Sequence, residues 1–308
     1  RGTDQPFFLF AHFFDAHDPY VSPEPYHSQF DPDYTGPIDG MRVTSPDSPV
    51  RADMDPRDLH NLIARYDGGI RYVDDQVGQL LDKLDALGLA DNTLVIVTSD
   101  HGEEFFEHGH KTHRRQLHAE SIEVPLILRW PAQLPAGRVV AGSAGIVDIT
   151  PTMLAAAGTG LGHACAGQNL LPSAKGAQLE RHDYLSELLL FDEGPSPLRQ
   201  FAWHDQRANI TLGQTSGSAP WQWQDYEGSP IPMESPEVRS LIPRWDALLT
   251  GYRALGAAIP YRSLSATPLT PSELAELAAM GYSGGDDDGL TTTKPTRRLS
   301  IEGGPWPD

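Results

Sequence analysis

A long amphipathic stretch stands out in the pattern of apolar and polar residues. Between Leu59 and Leu87, apolar residues recur at steps of three and four, which predicts one amphipathic helix or two consecutive helices. Gly68 and Gly69 lie within this pattern, so a kink or a close contact is expected there. Gly88 follows the pattern and is predicted to cap the helix at its C-terminus.

Short apolar runs predict buried strands on both sides of this helix. Residues 6–12 (Pro-Phe-Phe-Leu-Phe-Ala-His) precede it, and residues 93–98 (Thr-Leu-Val-Ile-Val-Thr) and 125–130 follow it. An alternation of strand and helix is typical of an α/β domain. Residues 18–58 are rich in Pro, Asp, Ser and Gly, which predicts a long irregular loop of the kind that often borders an active site.

The pattern also divides the chain. A helix predicted over residues 150–157, with Thr150 as its N-cap, is followed by small residues at 158–167 that predict a linker. We therefore expect an α/β domain at residues 1–160, a smaller α+β subdomain at 161–284 and a flexible tail at 285–308. The elements predicted in the subdomain are strands at 184–191 and 208–212 and helices at 237–255 and 272–280.

Candidate chemistry is concentrated where the strand at 93–98 ends. Asp100 and His101 follow that strand, and Gly102 allows the backbone to turn so that both side chains reach one cation. Because Asp and Gly also favour ordinary turns, a turn without a metal is the alternative. Imidazole and cationic side chains follow closely at His108, His110, Lys111, His113, Arg114 and Arg115.

Composition narrows the classes of ligand and partner. The formal net charge of −19 argues against nucleic acid as a partner and means that an anionic substrate needs a locally basic site, such as residues 111–115. No apolar run approaches the roughly twenty residues of a membrane-spanning helix. The single cysteine, Cys165, excludes an intrachain disulfide and is interpreted as a small buried apolar residue.

Several motifs occur in an order that resembles one enzyme family. The motifs are Phe14–Tyr20, Ser99–Glu103 (Ser-Asp-His-Gly-Glu), Glu107–Gly109, Glu120–Leu126 (Glu-Ser-Ile-Glu-Val-Pro-Leu), Asp148–Thr152 and Met280–Tyr282. Together they resemble the sulfatases of the alkaline-phosphatase superfamily, well over residues 6–158 and thinly to about residue 284. The resemblance implies part of an alkaline-phosphatase-like α/β fold, in which a mixed sheet is flanked by helices.

The resemblance implies a divalent metal that is held partly by Asp100 and His101. In sulfatases such a metal holds the sulfate oxygens and activates the nucleophile. Ca²⁺ is the expected ion because hard oxygen ligands favour it, with Mg²⁺ as an alternative. A histidine at position 101 also makes Mn²⁺ or Zn²⁺ credible.

The resemblance further implies two catalytic groups. His17, in Ala-His-Asp-Pro-Tyr, matches a histidine that contacts the transferred group and the leaving oxygen, and a structural histidine in a turn is the alternative. The second group is a cation that we match to His113. Counts from the two flanking motifs differ by one residue and give His113 or Arg114, so Arg114 is an alternate, and Lys111 is a further one. All four side chains are candidate substrate-binding residues.

The family's nucleophile motif, Cys/Ser/Thr-x-Pro-x-Arg, has no match ahead of His12. Thr293–Arg297 fits the spacing, but it lies in the predicted tail and is interpreted as a coincidence. We therefore expect a sulfatase-like hydrolase of sulfate monoesters whose nucleophile lies upstream of this chain, so that the chain alone is incomplete for catalysis. A phosphonate or phosphodiester hydrolase of the same superfamily, or a non-catalytic protein that binds metal or a sulfated ligand, are the alternatives.

The implied substrate is a sulfate ester of a small molecule or a glycan. The loops at 18–58 and 192–235 are expected to select its alcohol portion. Trp203, Trp221 and Trp223 are able to stack on a sugar or aryl ring, and packing in the subdomain is their more ordinary role. Family resemblance also implies a secreted or periplasmic protein.

Overall fold

The computed structural model describes residues 5–160, 165–180, 182–190, 198–204, 209–214, 222–224, 229–232 and 234–258. The described residues fall into two compact units, the first ending at Val77 and the second beginning at Gly78. The predicted helix at 272–280 and the predicted tail at 285–308 lie outside the described residues. The predicted domain division after residue 160 stays a prediction.

A single helix, α1 (Pro56–Ala86), accounts for the amphipathic pattern. Gly68 and Gly69 do not break it but allow a close contact, because a Cβ on Gly68 would lie 2.3 Å from the carbonyl oxygen of Tyr26. Gly88 has a φ of +66° just beyond the helix, so the predicted C-terminal cap is confirmed.

The loop at 18–58 is irregular, as predicted, and it is anchored on α1. Its most buried apolar side chains are at most 2% exposed: Tyr20, Ile38, Val43 and Val50. Arg57, in the first turn of α1, forms a bidentate ion pair with Asp31. Asn61 donates to the same carboxylate at 2.9 Å. These hydrogen bonds tie the middle of the loop to the start of the helix.

The predicted buried strand at residues 6–12 is wrong. This stretch is not a strand, and its aromatic side chains are exposed, by 75% at Phe8 and by 76% at Phe10. No strand of the described residues pairs with it. A run of apolar side chains does not make a strand when no neighbouring strand supplies the hydrogen-bond partners.

After the end of α1 and a 3₁₀ turn (Ala90–Asn92), the second unit continues with the elements that carry the candidate chemistry. In chain order they are β1 (Val95–Thr98), β2 (Glu104–Phe105), β3 (Lys111–Thr112), α2 (Ala119–Ile122) and β4 (Leu126–Arg129). Strand β1 pairs antiparallel with β4, and β2 pairs antiparallel with β3. The predicted strands at 93–98 and 125–130 are therefore confirmed as β1 and β4.

Helix α3 (Ile149–Ala156) confirms the helix predicted over residues 150–157, but its start is different. Asp148 occupies the N-cap position and Thr150 lies inside the helix, so the predicted cap is wrong. The reason is a preceding 3₁₀ turn (Ile146–Asp148), which runs directly into the helix. Helix α4 (Leu171–Lys175) follows. Cys165 is exposed and its Sγ donates to the Gly167 carbonyl at 3.2 Å, which corrects its interpretation as a buried residue.

A five-stranded antiparallel sheet and one helix complete the second unit. The strands, in spatial order, are β5 (Tyr184–Leu190), β6 (Leu198–His204), β7 (Asn209–Gln214), β8 (Gln222–Gln224) and β9 (Pro230–Ile231). Helix α5 (Pro236–Ala258) packs on this sheet, with the Trp245 ring 6.3 Å from the ring of Trp203. Strands β5 and β7 and helix α5 correspond to predicted elements.

Trp203 is 1% exposed, so it packs in the core of the second unit, which is the ordinary role considered for it. The guanidinium of Arg244 lies 4.8 Å from its ring centroid. Trp221 and the side chain of Trp223 lie outside the described part of the chain. Within that part, no helix combines the length and the apolar character needed to cross a membrane.

Candidate functional site

Asp100 and His101 lie just beyond the end of β1, where the sequence predicts a metal pair. Their side chains are 59% and 29% exposed. Nδ1 of His101 lies 2.8 Å from the carbonyl oxygen of Gly102, which can only accept, so Nδ1 donates this hydrogen bond. This contact leaves Nε2 as the ring nitrogen that could bind a metal. Asp100 Oδ2 lies 3.8 Å from that Nε2. Two donor atoms at this separation can both lie about 2.0–2.5 Å from one divalent ion, so the pair fits a metal.

Gly102 holds this loop against α2. Its N–H donates to the Ser121 carbonyl at 2.9 Å, and a Cβ would lie 2.0 Å from the carbonyl oxygen of Glu120. Its φ lies outside the left-handed region, so close packing, and not the turn, requires a glycine here. Any side chain would push the loop away from α2.

The structure brings His113 next to His101. The two imidazoles stack with their ring centroids 3.7 Å apart. Nδ1 of His113 lies 3.2 Å from Oε1 of Glu103, whose side chain is 3% exposed, and its Nε2 accepts from Nε of Arg114 at 3.2 Å. Glu103 therefore orients the ring, as a carboxylate commonly does for a functional histidine.

Lys111 and Arg114 lie on and just after the β2–β3 hairpin. Lys111 is half-buried opposite Phe105, whereas Arg114 is exposed. Phe106, Thr112 and Arg114 have φ values of +72°, +62° and +81°. These values are uncommon for residues that carry a Cβ, so the contacts around the hairpin must hold its backbone in place.

Glu104 was not indicated by any sequence pattern, yet it is only 1% exposed. Its Oε1 accepts from the backbone N–H groups of His108 at 2.9 Å and His110 at 2.8 Å. Its Oε2 accepts from Nε2 of Gln116 at 2.5 Å. In the sequence, Glu104 looks like an ordinary surface acid. Its role is visible only from the hydrogen bonds that it accepts from residues later in the chain.

Glu120 and His108, which both lie in stretches singled out in the sequence, form a neighbouring network whose contacts no sequence pattern indicated. Nδ1 of His108 lies 2.6 Å from Oε1 of Glu120, and its ring stacks on His118 at 3.7 Å. Nε2 of Gln116 lies 3.1 Å from the same Glu120 oxygen. Gln116 therefore connects this network to Glu104.

His17 belongs to the first unit, where it is half-buried in a turn. Its N–H donates to the Phe14 carbonyl at 2.9 Å, and its Nδ1 lies 2.6 Å from the Asp18 carbonyl oxygen. These local contacts are compatible with a structural histidine and with a catalytic one. The catalytic role of His17 stays a prediction.

The first half of the chain matches a known protein family. The family described as Sulfatase matches residues 1–159. The chain belongs to the sulfatase family. The match includes the motifs at Ser99–Glu103 and Glu120–Leu126, and it confirms the resemblance drawn from them.

Two relatives show how much of a sulfatase-family protein this chain represents. The multifunctional alkaline phosphatase superfamily protein PehA of Trinickia caryophylli is 31% identical over 200 residues, which cover 56% of this chain and 38% of that protein. Steryl-sulfatase of Mus musculus is 29% identical over 237 residues, which cover 72% of this chain and 30% of that protein. The chain thus spans well under half the length of either relative.

A solved structure shares the fold of this sulfatase-family chain. The phosphonate monoester hydrolase of Agrobacterium radiobacter superposes with a TM-score of 0.62 at 23% sequence identity. The superposition covers 88% of this chain and 61% of that chain. The predicted fold of the alkaline-phosphatase type, which combines helices and sheets, is therefore confirmed. The predicted mixed sheet is not seen among the described residues, where every strand pair is antiparallel.

Proposed function

We propose that the complete protein hydrolyses sulfate monoesters of a small molecule or a glycan. We further propose that the loop between β1 and α2 supplies part of its active site. The observation that supports this most directly is the 3.8 Å separation of Asp100 Oδ2 and His101 Nε2 beside the stacked ring of His113. Membership of the sulfatase family makes ester hydrolysis the expected class of reaction.

Asp100 and His101 are proposed to hold a divalent metal, because sulfatases generally use one. Ca²⁺ is the first candidate for a site with carboxylate ligands, with Mg²⁺ next, and the imidazole keeps Mn²⁺ and Zn²⁺ as alternatives. When bound, the metal polarises the sulfate oxygens and eases ionisation of the nucleophile. The chain's own contribution is to present a carboxylate oxygen and the Nε2 atom of His101 together.

His113, Arg114 and Lys111 are proposed to bind the negatively charged sulfate. His113 is the better candidate for the catalytic group, because Glu103 and the ring of His101 hold it in one orientation whereas Arg114 is exposed. His17 is proposed as the second catalytic residue, where a protonated imidazole would stabilise charge on the leaving oxygen. The nucleophile is proposed to lie outside these 308 residues.

Hydrolysis of phosphonate esters or phosphodiesters is the second candidate. It is supported by the relative PehA, which is named a multifunctional protein of the alkaline phosphatase superfamily. Sulfate monoesters, phosphonate monoesters and phosphodiesters each present a tetrahedral centre with a negative charge shared by its non-bridging oxygens, so one metal and one set of cations can serve all three. The chemistry of the transferred group must therefore be tested with each substrate class.

The test uses the full-length protein with an aryl sulfate, an aryl phosphonate monoester and an aryl phosphodiester. Asp100→Ala and His101→Ala are expected to reduce bound metal and to lower kcat by about 100-fold or more, since each removes a proposed ligand. Asp91→Ala, at an exposed acid in the turn before β1, is the matched control and should leave both unchanged.

The outcomes separate the candidates. Turnover of the phosphorus esters alone would assign the second candidate. Metal binding without any turnover would favour a non-catalytic protein. Full metal content and full turnover in Asp100→Ala would overturn the assignment of the site.

A further inference from the structure

We propose that Glu104 is a positioning residue whose buried carboxylate holds the β2–β3 hairpin in the conformation that presents His113 beside His101. The contacts that hold the hairpin all lie within the second unit. The expected effect on turnover rests on the proposed function.

The burial of Glu104 requires an explanation, because removing a carboxylate from water is unfavourable unless hydrogen bonds replace the lost hydration. Glu104 is 1% exposed and accepts from three donors, two of which are backbone N–H groups inside the hairpin turn. These donors belong to His108 and His110. The carboxylate therefore fixes the backbone of the hairpin turn and not only the side chain of Gln116.

The hairpin depends on such an anchor because its own ladder is very short. Only two residue pairs join β2 to β3, Glu104 with Thr112 and Phe105 with Lys111. An isolated pair of strands is at best marginally stable in water. The positive φ values at Phe106, Thr112 and Arg114 add strain that the turn has to sustain. A buried acceptor for two turn amides supplies the missing stabilisation.

The position of His113 follows from the same anchor. Lys111 directly follows His110, whose N–H is fixed by Glu104, and His113 lies two residues further on. Gln116 continues the network to Ser121 of α2, with its Nε2 3.1 Å from Ser121 Oγ. The N–H of Gly102, next to His101, donates to the carbonyl of the same Ser121. Both stacked imidazoles are therefore held by one common support.

A merely structural carboxylate would also be buried and hydrogen-bonded, and Asp148 is the matched example. It is 0% exposed and accepts from the N–H groups of Gly145 and Gln168 and from the hydroxyl of Tyr184. The two carboxylates thus share their burial and their number of donors. They differ in what they hold, because no donor to Asp148 lies in the hairpin.

The experiment compares Glu104→Gln with Asp148→Asn in the full-length protein. In Glu104→Gln, one acceptor oxygen becomes an NH₂ donor, which must face either the NH₂ of Gln116 or the backbone N–H groups of His108 and His110. Either orientation sets donor against donor and breaks the network while the side-chain volume is kept. We expect kcat for an aryl sulfate to fall about 10- to 100-fold while KM changes less than about threefold. Hydrogen exchange of backbone amides in residues 106–113 should accelerate about tenfold or more.

Asp148→Asn should lower the Tm but leave kcat within about twofold and leave exchange in 106–113 unchanged. If Glu104→Gln behaves in the same way, Glu104 contributes only stability and the proposal is overturned. If the wild-type protein hydrolyses no sulfate ester, the proposed function fails, and the exchange comparison still decides the role of Glu104. Should Glu104→Gln not fold, hydrogen exchange of the wild-type protein still tests the anchor, because the His108 and His110 amides donate to Glu104 and should exchange about tenfold or more slowly than unbonded amides. Exchange of these two amides at the rate of exposed amides would overturn the proposal.

Discussion

Asp31 in the first unit shows how one side chain anchors a long loop. Its hydrogen bonds from Arg57 and then Asn61 lower its pKa from 3.8 to about 2, although partial burial opposes the shift. The folded state therefore favours the ionised carboxylate. Its contribution to stability is complete above the unfolded pKa and is lost as the pH falls through the folded value.

Asp31→Asn is therefore expected to lower the Tm of the full-length protein at about pH 7, and the difference from wild type should shrink between about pH 4 and about pH 2. Thermal melts followed by circular dichroism at several pH values measure this difference. Asp33→Asn, at an exposed acid in the same loop, is the control and should not change the Tm. A difference that stays constant over this range would contradict the role given to ionised Asp31.

At the same scale, residues in linear motifs were predictable and buried partners were not. Asp100 and His101 are adjacent and follow a strand, so their sequence context was enough to bring them forward as a pair. Glu104 can be buried because its hydrogen-bond donors, such as Gln116, come from residues further along the chain. The periodicity of apolar residues does not reveal such contacts. The prediction that Cys165 is buried was wrong for a related reason, because the small size of a side chain does not determine its exposure to solvent.

Among the elements, α1 offers the sharpest test because two of its glycines have opposite surroundings. A Cβ on Gly68 would lie 2.3 Å from the Tyr26 carbonyl oxygen, whereas a Cβ on Gly78 would meet nothing within 4 Å. Alanine is favoured over glycine inside a helix by about 1 kcal/mol. That intrinsic gain is available only where there is room for the methyl group.

Gly78→Ala is expected to raise the free energy of unfolding by about 0.5–1 kcal/mol. Gly68→Ala is expected to lower it by about 1–3 kcal/mol, because the methyl group overpacks a backbone contact. Urea unfolding of the two variants and the wild type measures both changes, each variant acting as the control for the other. Equal effects of the two substitutions would show that the Tyr26 contact does not constrain the helix.

Long elements with a clear period were predicted and short ones were not. The apolar spacing in α1, the β-branched run in β1 and the apolar run in β4 are intrinsic to those segments. Strands β2 and β3 contain two residues each, so they hold no periodicity, and they form because the hairpin between them is anchored. The stretch at 6–12 had the composition of a strand but not the partner that a strand requires.

On the scale of the whole molecule, the predicted linker at 158–167 is crossed by strong polar contacts within the second unit. Tyr184, at the start of β5, donates to Asp148 Oδ2 at 2.5 Å and accepts from Nε2 of Gln168 at 2.9 Å. Burial, and then the Asp148 carboxylate, raise the pKa of Tyr184. These bonds couple the region around α3 to the five-stranded sheet.

Tyr184→Phe is expected to lower the free energy of unfolding by about 1–3 kcal/mol, because it leaves one buried carboxylate oxygen short of a donor. Tyr252→Phe, which removes a hydroxyl from a side chain that is 43% exposed, should change it by less than about 0.5 kcal/mol. Urea unfolding of the full-length protein measures both, and kcat should be unaffected in each. If Tyr184→Phe changes the free energy of unfolding as little as Tyr252→Phe does, the Tyr184 hydroxyl does not couple the region around α3 to the five-stranded sheet.

The family and the type of fold were the most predictable features at this scale, because ordered motifs survive in the sequence. The Asp148 contacts were not predictable, since a run of small residues at 158–167 has the composition of a flexible linker whether or not its flanks are bonded. What joins the two flanks is a tyrosine hydroxyl from 36 residues further on.

The aromatic run at Phe8 and Phe10 has a practical consequence for anyone who purifies this polypeptide. Exposed phenyl rings favour hydrophobic association with other molecules, which leads to aggregation. Preparations of residues 1–308 should accordingly be handled dilute and checked by light scattering before any assay. Mild detergent that coats these rings is the first additive to try.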